Sequence, residues 1–298
     1  MKKEMWKGHL LALFCAAVWG TTFVASKRLL GYYSPVQLMF LRFAAAYAVL
    51  WVFCPRWEKP ERKEELYFLL MGVTGCTLYF WTENTALTLT YTANVSTIVS
   101  LAPLLTAILA GVASKGRERP DRWVWIGFTA AFLGVALVVF NGAFVLKLSP
   151  AGDLLALLTA LMWAVFCIQQ SYALERHSSL FITRKVMFYG LVTSLPLMLL
   201  GGFRGLTLAP LLGSGVNLLC FLFLAVFGNA VCYFAWAAAE RRLGAVVTSS
   251  YVYAIPFITL AAGALFLHEP VSPAGVAGAV LIVAGVWISS AFREKKRP

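Results

Sequence analysis

The chain reads as a succession of long apolar runs separated by short polar stretches. A helix rises 1.5 Å per residue and the hydrocarbon layer is about 30 Å thick, so about 20 mostly apolar residues span it. Ten such runs lie near residues 8–29, 35–54, 66–87, 93–113, 122–141, 151–173, 180–200, 216–238, 245–267 and 273–292. Each is long and continuous, whereas barrel strands alternate apolar and polar positions over about ten residues. The pattern predicts an all-α integral membrane protein of ten transmembrane helices with the lipid bilayer as its main partner. The first run follows a Lys-bearing start, yet it is as long as a full span and reads as a retained helix.

Composition agrees, with 60% hydrophobic residues, 13% charged residues and a mean hydropathy of +0.78, against about 45–50% apolar and about 25% charged in soluble domains. The formal net charge is +12, and the position of that charge decides what it means. With the N-terminus in the cytoplasm, eighteen of the 25 Lys and Arg residues fall in inner segments, four in outer segments, and Arg42, Arg184 and Lys185 in or near helices. Retention of Lys and Arg on the cytoplasmic side places both termini in the cytoplasm and sets nucleic acid aside as a partner. The six cysteines lie in or beside apolar runs with no CxxC spacing, which points to small reduced packing residues without metal or disulfide.

The sequence repeats. Residues 8–19 (GHLLALFCAAVW) and 152–163 (GDLLALLTALMW) are identical at seven of twelve positions, which pairs Trp19 with Trp163. Further along, Gly75 pairs with Gly228, Ser96 with Ser249, Pro103 with Pro256 and Thr106 with Thr259. Residues 1–145 and 146–298 are thus two copies of five spans each. An odd number of spans starts the second copy on the opposite side of the membrane, so the copies are expected to be inverted five-helix repeats. Exchange of conformation between such halves is a physical route to alternating access.

The stretch AAVWGTTFVASK in the first span, the Arg in the second, YFWTENTALTLTYTANVSTIVSLAPLLTAILAG across the third and fourth, and LHEPVSPAGVAGAVLIVAGVWI at the end resemble the drug/metabolite transporter superfamily in its ten-span, EamA-like branch. The resemblance covers nearly the whole chain. It implies a carrier, commonly an exporter of amino acids or related metabolites, with a central cavity formed by both halves. The superfamily also contains importers and nucleotide-sugar or sugar-phosphate carriers.

Charges at membrane depth are the sharpest chemical signal, because one at a helix centre costs roughly 2.5–3.5 kcal/mol even on permissive scales. Arg42 sits about seven residues from the outer end of the second span and Glu83 about four from the outer end of the third, a depth difference of about 5 Å. They are expected to form a buried or cavity-lining pair. That pair is either a structural ion pair fixing register or a site where Glu83 accepts a proton or a cationic substrate group. In the third span Cys76, Phe80 and Glu83 share a stripe, with Tyr79 one turn before Glu83. The repeat equivalents of Cys76, Phe80 and Glu83 are Asn229, Tyr233 and Trp236.

Polar and aromatic groups on two such helices suit a cavity for a small amphipathic solute, and aromatic interhelix packing is the alternative. Trp19 and Trp163 lie near mid-membrane, away from the usual interface belts, and join the candidate substrate-binding set. Asn94, Ser100, Ser250 and Tyr253 are further cavity candidates. Pro103 and Pro256 lie inside spans, where each removes an N–H and frees the carbonyl four residues back, at Val99 and Val252, making them candidate hinges. The Gly-x6-Gly patterns at Gly127/Gly134 and Gly278/Gly285 let helices approach closely, for packing or a homodimer surface. Lys27, Arg28, Glu240 and Glu269 are expected to snorkel from helix ends to water.

A primary pump would need a nucleotide site, but GVASKGRE at residues 111–118 lacks the Gly-Lys-Ser/Thr ending. A membrane-embedded enzyme is the alternative from another class, although His9, His177 and His268 have neither metal-ligand spacing nor a catalytic partner motif. No cofactor is called for. Reporter tags at residue 145 and at the C-terminus should be found on opposite faces of the membrane; a common face would mean that the two copies are not inverted.

Overall fold

The computed structural model describes residues 2–53, 55, 60–90, 92–113, 122–140 and 149–267, together with single residues and short pieces between 273 and 288. Among them the fold is helical throughout. Helix α1 is Lys2–Leu29 and α2 is Pro35–Phe53; α3, Arg62–Gly72, continues without interruption through a π-helical segment, Val73–Leu78, into α4, Tyr79–Leu89. Then come α5 (Thr92–Val99), α6 (Ala102–Ala113) and α7 (Arg122–Phe140). The second part of the chain carries α8 (Pro150–Leu174), α9 (Ser179–Leu197) with a π segment at Met198–Gly202, and the short α10 (Ala209–Leu212). Helix α11 (Gly215–Leu222) passes through a third π segment, Phe223–Val231, into α12 (Cys232–Leu243). Last come α13 (Ala245–Ser249), a 3₁₀ stretch at Ser250–Ala254, and α14 (Ile255–Leu267).

Among the described residues, six helical stretches are long and apolar enough to cross a membrane: Glu4–Leu29, Pro35–Phe53, Pro150–Leu174, Ser179–Gly202, Gly215–Leu243 and Ala245–Ala262, with Ala102–Ala113 and Trp125–Gly134 as shorter apolar helices. The expected tenth span, 273–292, lies largely outside the described residues. The outer surface is oily, as lipid contact requires, with Val52, Phe53, Leu154, Leu200 and Leu265 all exposed.

Local sequence explains where helices begin and end. Ser149 caps α8, its hydroxyl accepting from the Gly152 N–H with Pro150 at the first helical position, where proline has no hydrogen bond to lose. Ser178 and Ser214 cap α9 and α11 the same way. Gly244 ends α12 at φ 81°, a conformation costly to a residue with a Cβ.

Contacts between helix ends set the directions. Arg242 at the end of α12 reaches Glu4 at the start of α1, while Arg176 and His177 after α8 reach Glu64 at the start of α3. At the opposite end of the bundle, Lys27 of α1 donates to the Leu87 carbonyl of α4 and, at 3.3 Å, to that of Thr90. Arg28 bonds Asn217 at 2.8 Å, and Gln37 donates to the carbonyls of Gly202 and Arg204. Helices α1 and α8 therefore run in opposite senses, as do α3–α4 and α11–α12. Lys27 is a helix cap, holding the carbonyls that α4 leaves unpaired.

Several expectations change. Pro103 and Pro256 occupy the first turns of α6 and α14 instead of helix interiors, because each span is already broken a turn earlier, at Ser100–Leu101 and Ser250–Ala254. Val252 does not keep a free carbonyl, since it accepts the Ile255 N–H across the 3₁₀ turn. Glu240 does not snorkel: it is 2% exposed and bonded to Gln170 at 2.9 Å. Glu269 and His268 lie outside the described residues. Gly285 packs within the chain, a Cβ there meeting the Gly127 carbonyl at 2.4 Å.

Helices α3 and α9 meet almost backbone to backbone. A Cβ on Gly72 would come within 2.7 Å of the Tyr189 carbonyl carbon and 2.9 Å of the Gly190 nitrogen. Gly72→Ala should therefore lower stability by about 1–3 kcal/mol, measured as a reduced melting temperature of the purified protein in detergent.

Candidate functional site

The three tryptophans Trp19 (α1), Trp163 (α8) and Trp236 (α12) form one cluster at the centre of the bundle. Ring centroids are 5.1 Å apart for Trp19–Trp163, 5.0 Å for Trp19–Trp236 and 5.7 Å for Trp163–Trp236. Tyr79 lies 5.2 Å from Trp163, and Tyr233 lies 5.9 Å from the same ring. Tilted and edge contacts of this kind are favourable beyond the area they bury.

Above the cluster lies a cavity lined by Trp19, Thr22 and Phe23 of α1, Arg42 of α2, Tyr79, Phe80 and Glu83 of α4, Val99 of α5, Trp163 of α8, Tyr233 of α12, Val252, and Ile255 of α14. Both parts of the chain build it. The room inside for the centres of water molecules is about 30 Å³, enough for roughly two waters. A metabolite enters only if the walls part.

Two of the walls hold π segments, and each gives up a carbonyl to a ring from the other part of the chain. Tyr233 donates to the Gly75 carbonyl at 2.5 Å, and Trp19 donates to the Gly228 carbonyl at 2.9 Å. A π turn breaks the regular hydrogen-bond ladder and releases carbonyls for such use, which is why such bulges gather at working sites. Glycine is required at the first position, where an added Cβ would lie 2.3 Å from the Phe166 ring.

Arg42 is 2% exposed. Its Nε and Nη2 both donate to Asn229 Oδ1, at 3.2 and 2.7 Å, and Nη1 donates to Ser26 Oγ at 3.4 Å. The guanidinium also sits 4.5 Å over the Phe80 ring, a cation–π contact that desolvation strengthens. Of the five donors of a guanidinium, these bonds use three; the other two have no protein partner among the described residues. Glu83 accepts from the Tyr79 hydroxyl at 3.0 Å. Among the described ion pairs none joins Arg42 to Glu83, so the two charges line one cavity with space between them.

The structure therefore brings together Trp19, Arg42, Tyr79, Glu83, Trp163 and Tyr233, with Asn229 behind Arg42 and Trp236 beneath the tryptophans. Tyr253 stands apart, against Phe128 at 5.8 Å in a separate cluster with Ala107 and Ala131. Ser100 and Ser250 bond to carbonyls of their own helices, those of Ser96 and Val247. The Asn94 side chain lies outside the described part of the structure. Sequence reasoning passed over Thr22, Phe23 and Ile255, and singled out Val99 and Val252 only for the carbonyls the prolines would free. Thr22 and Phe23 sit one turn beyond Trp19, a signal that was available; the aliphatic residues carry none.

The sequence pattern of the EamA-like transporter family matches residues 6–140 and again residues 150–291. A relative from Archaeoglobus fulgidus called "Uncharacterized transporter" is 26% identical, over 97% of this chain and 99% of its own. A Salmonella typhimurium protein called "Probable amino-acid metabolite efflux pump" is 27% identical, over 95% of this chain and 94% of its own. A chain of known crystal structure superposes with a TM-score of 0.74 at 20% identity, over 97% of this chain and 99% of that one, a likeness of fold.

Removing the Asn229 side chain strips Arg42 of two hydrogen bonds to a buried charge. Asn229→Ala should destabilise the protein by about 1.5–3 kcal/mol, read as a lower detergent melting temperature. Asn229→Asp should restore stability by supplying a carboxylate to the same guanidinium.

Proposed function

The chain belongs to the EamA-like transporter family, and we propose that it is a secondary transporter that moves an amino acid or a related amphipathic solute across the cytoplasmic membrane by alternating access, in the direction of export. It is a multi-pass membrane protein, and its relatives carry the names of transporters. The observation that carries the proposal is the cavity, in which a guanidinium with free donors and a carboxylate face common space between aromatic walls. A zwitterion suits that arrangement: its carboxylate meets Arg42, its ammonium meets Glu83, and its side chain lies on Trp19, Trp163 or Tyr233.

The ten-span, inverted-repeat reading is supported by the two matched segments and by the opposite senses of α1 and α8. The breaks ahead of Pro103 and Pro256, in equivalent places, support these as hinges. The excess of Lys and Arg on one set of loops supports cytoplasmic termini. The name of the Salmonella relative, a probable amino-acid metabolite efflux pump, supports the substrate class and the direction.

The test is uptake and counterflow by purified full-length protein in liposomes, screened over neutral amino acids, amines, nucleosides and sugar phosphates with and without a pH gradient. Zwitterionic amino acids should be carried, and both Arg42→Gln and Glu83→Gln should lose flux while still folding. Transport of sugar phosphates alone would overturn the substrate class. Glu83→Gln matching the parent in rate, pH dependence and folding would remove Glu83 from the cycle.

A further inference from the structure

Asn229, Tyr233, Trp236 and Glu240 are spaced by four, three and four residues, which puts them on one stripe running through the π segment and α12. The stripe starts behind the cavity, at the Arg42 partner Asn229, and ends at Glu240, close to the end of α12 that carries Arg241 and Arg242. Along it lie buried polar atoms without hydrogen bonds: Asn229 Nδ2, Trp236 Nε1 and Glu240 Oε1, with Trp163 Nε1 facing them from α8. The Trp236 indole N–H has the Cys167 sulfur near it, a weak acceptor. An orphaned buried donor or acceptor costs about 1–3 kcal/mol, and four of the seven such side-chain atoms among the described residues lie along this one seam.

Glu240 is the extreme case. Its residue is 2% exposed, and its one hydrogen-bond partner among the described residues is a neutral amide, Gln170 Nε2 at 2.9 Å. The titratable groups that face it are Tyr67 of α3 and Cys167 of α8, neither a cation. Lys185 of α9 is held by Glu65 at 2.6 Å. On its own helix, Arg241 donates to the His177 carbonyl and Arg242 to Glu4 and the Ala238 carbonyl. A bare carboxylate buried without a counter-charge is strongly unfavourable, whereas a neutral acid is tolerated.

We propose that Glu240 is a proton-binding residue at the end of a polar path along α12, sealed in this conformation and opened to water on the side of Arg241 and Arg242 when the protein changes state. In the sealed seam it holds its proton. When the seam parts, water reaches the orphaned atoms from Trp163 to Glu240, the carboxyl ionises and the proton leaves to that side. No covalent chemistry is involved. The coupling of this proton to solute movement rests on the transport reading; the proton site itself does not.

Infrared titration of the purified full-length protein in lipid tests the site, with the proton as the only probe. The parent should show the C=O stretch of a protonated buried carboxyl at neutral pH. That band should survive Glu83→Gln, vanish in Glu240→Gln and shift in Gln170→Leu. Glu240→Gln keeps the shape and the Gln170 bond, so it should fold; Glu240→Asp, which should retain a carboxyl band, is the control if it does not. Superposable spectra of parent and folded Glu240→Gln would overturn the assignment. In liposomes that carry solute, Glu240→Gln should lose stimulation by a pH gradient while keeping exchange, and undiminished stimulation would overturn the coupling. Absence of solute flux in the parent would count against the transport reading and leave the infrared result to decide the site.

Discussion

A guanidinium buried in a bundle surrounded by lipid has to be neutralised, bonded or stacked, and how Arg42 meets that demand organises the centre of this protein. Its strongest bonds go to Asn229, in a helix that runs toward the same face as α2 but belongs to the second part of the chain. At the centre of the bundle, this charge is therefore one of the links between the two parts. The cost of desolvating that charge is offset by the amide, the Ser26 hydroxyl and the Phe80 ring. Its two remaining donors are tied to no other described residue, which makes the anchor of the fold also the most reactive surface of the cavity.

The same economy recurs in the backbone. Gly75 and Gly228, which the sequence pattern pairs, each lie inside a π segment, and each lends a carbonyl to an aromatic N–H or O–H from the opposite part of the chain. Regular helices would have spent those carbonyls internally. The breaks at Ser100–Leu101 and Ser250–Ala254 likewise fall in equivalent places, beside the cavity-lining Val99 and Val252. Apart from the π segment at Met198–Gly202, these departures from ideal helix adjoin the cavity, where irregular backbone is tolerated because it is buried in protein and not in lipid.

The membrane helices were legible because their signal is long: about 20 apolar residues leave little room for another reading. The central residues were legible for a different reason. Arg42 and Glu83 are costly at depth, and the expected pairing of the two parts pointed from Cys76, Phe80 and Glu83 to Asn229, Tyr233 and Trp236. What pattern could not supply was direction around the helix. Tyr253 has the aromatic character of a lining residue, yet it turns toward Phe128. A count of residues from the membrane edge placed Glu240 within reach of water, but it is buried and bonded to Gln170 of α8, seventy residues away in sequence. The π segments were equally hidden, since they arise from how helices press together and have no strong local code.

The small size of the cavity bears on how these parts work together. With room for about 30 Å³ of water centres, the space between Arg42 and Glu83 cannot accept an amino acid without displacing a wall. On the proposed reading, the walls that yield are the helices broken ahead of Pro103 and Pro256 and the α12 seam with its unpaired indole and carboxyl atoms. A tightly satisfied core would hold one shape. A core that leaves polar atoms unpaired when closed gives each a water partner when opened, which narrows the free-energy gap between the two states. Glycine contacts such as Gly72 on Tyr189 bring α3 and α9 together backbone to backbone, close packing that resists relative displacement of that pair.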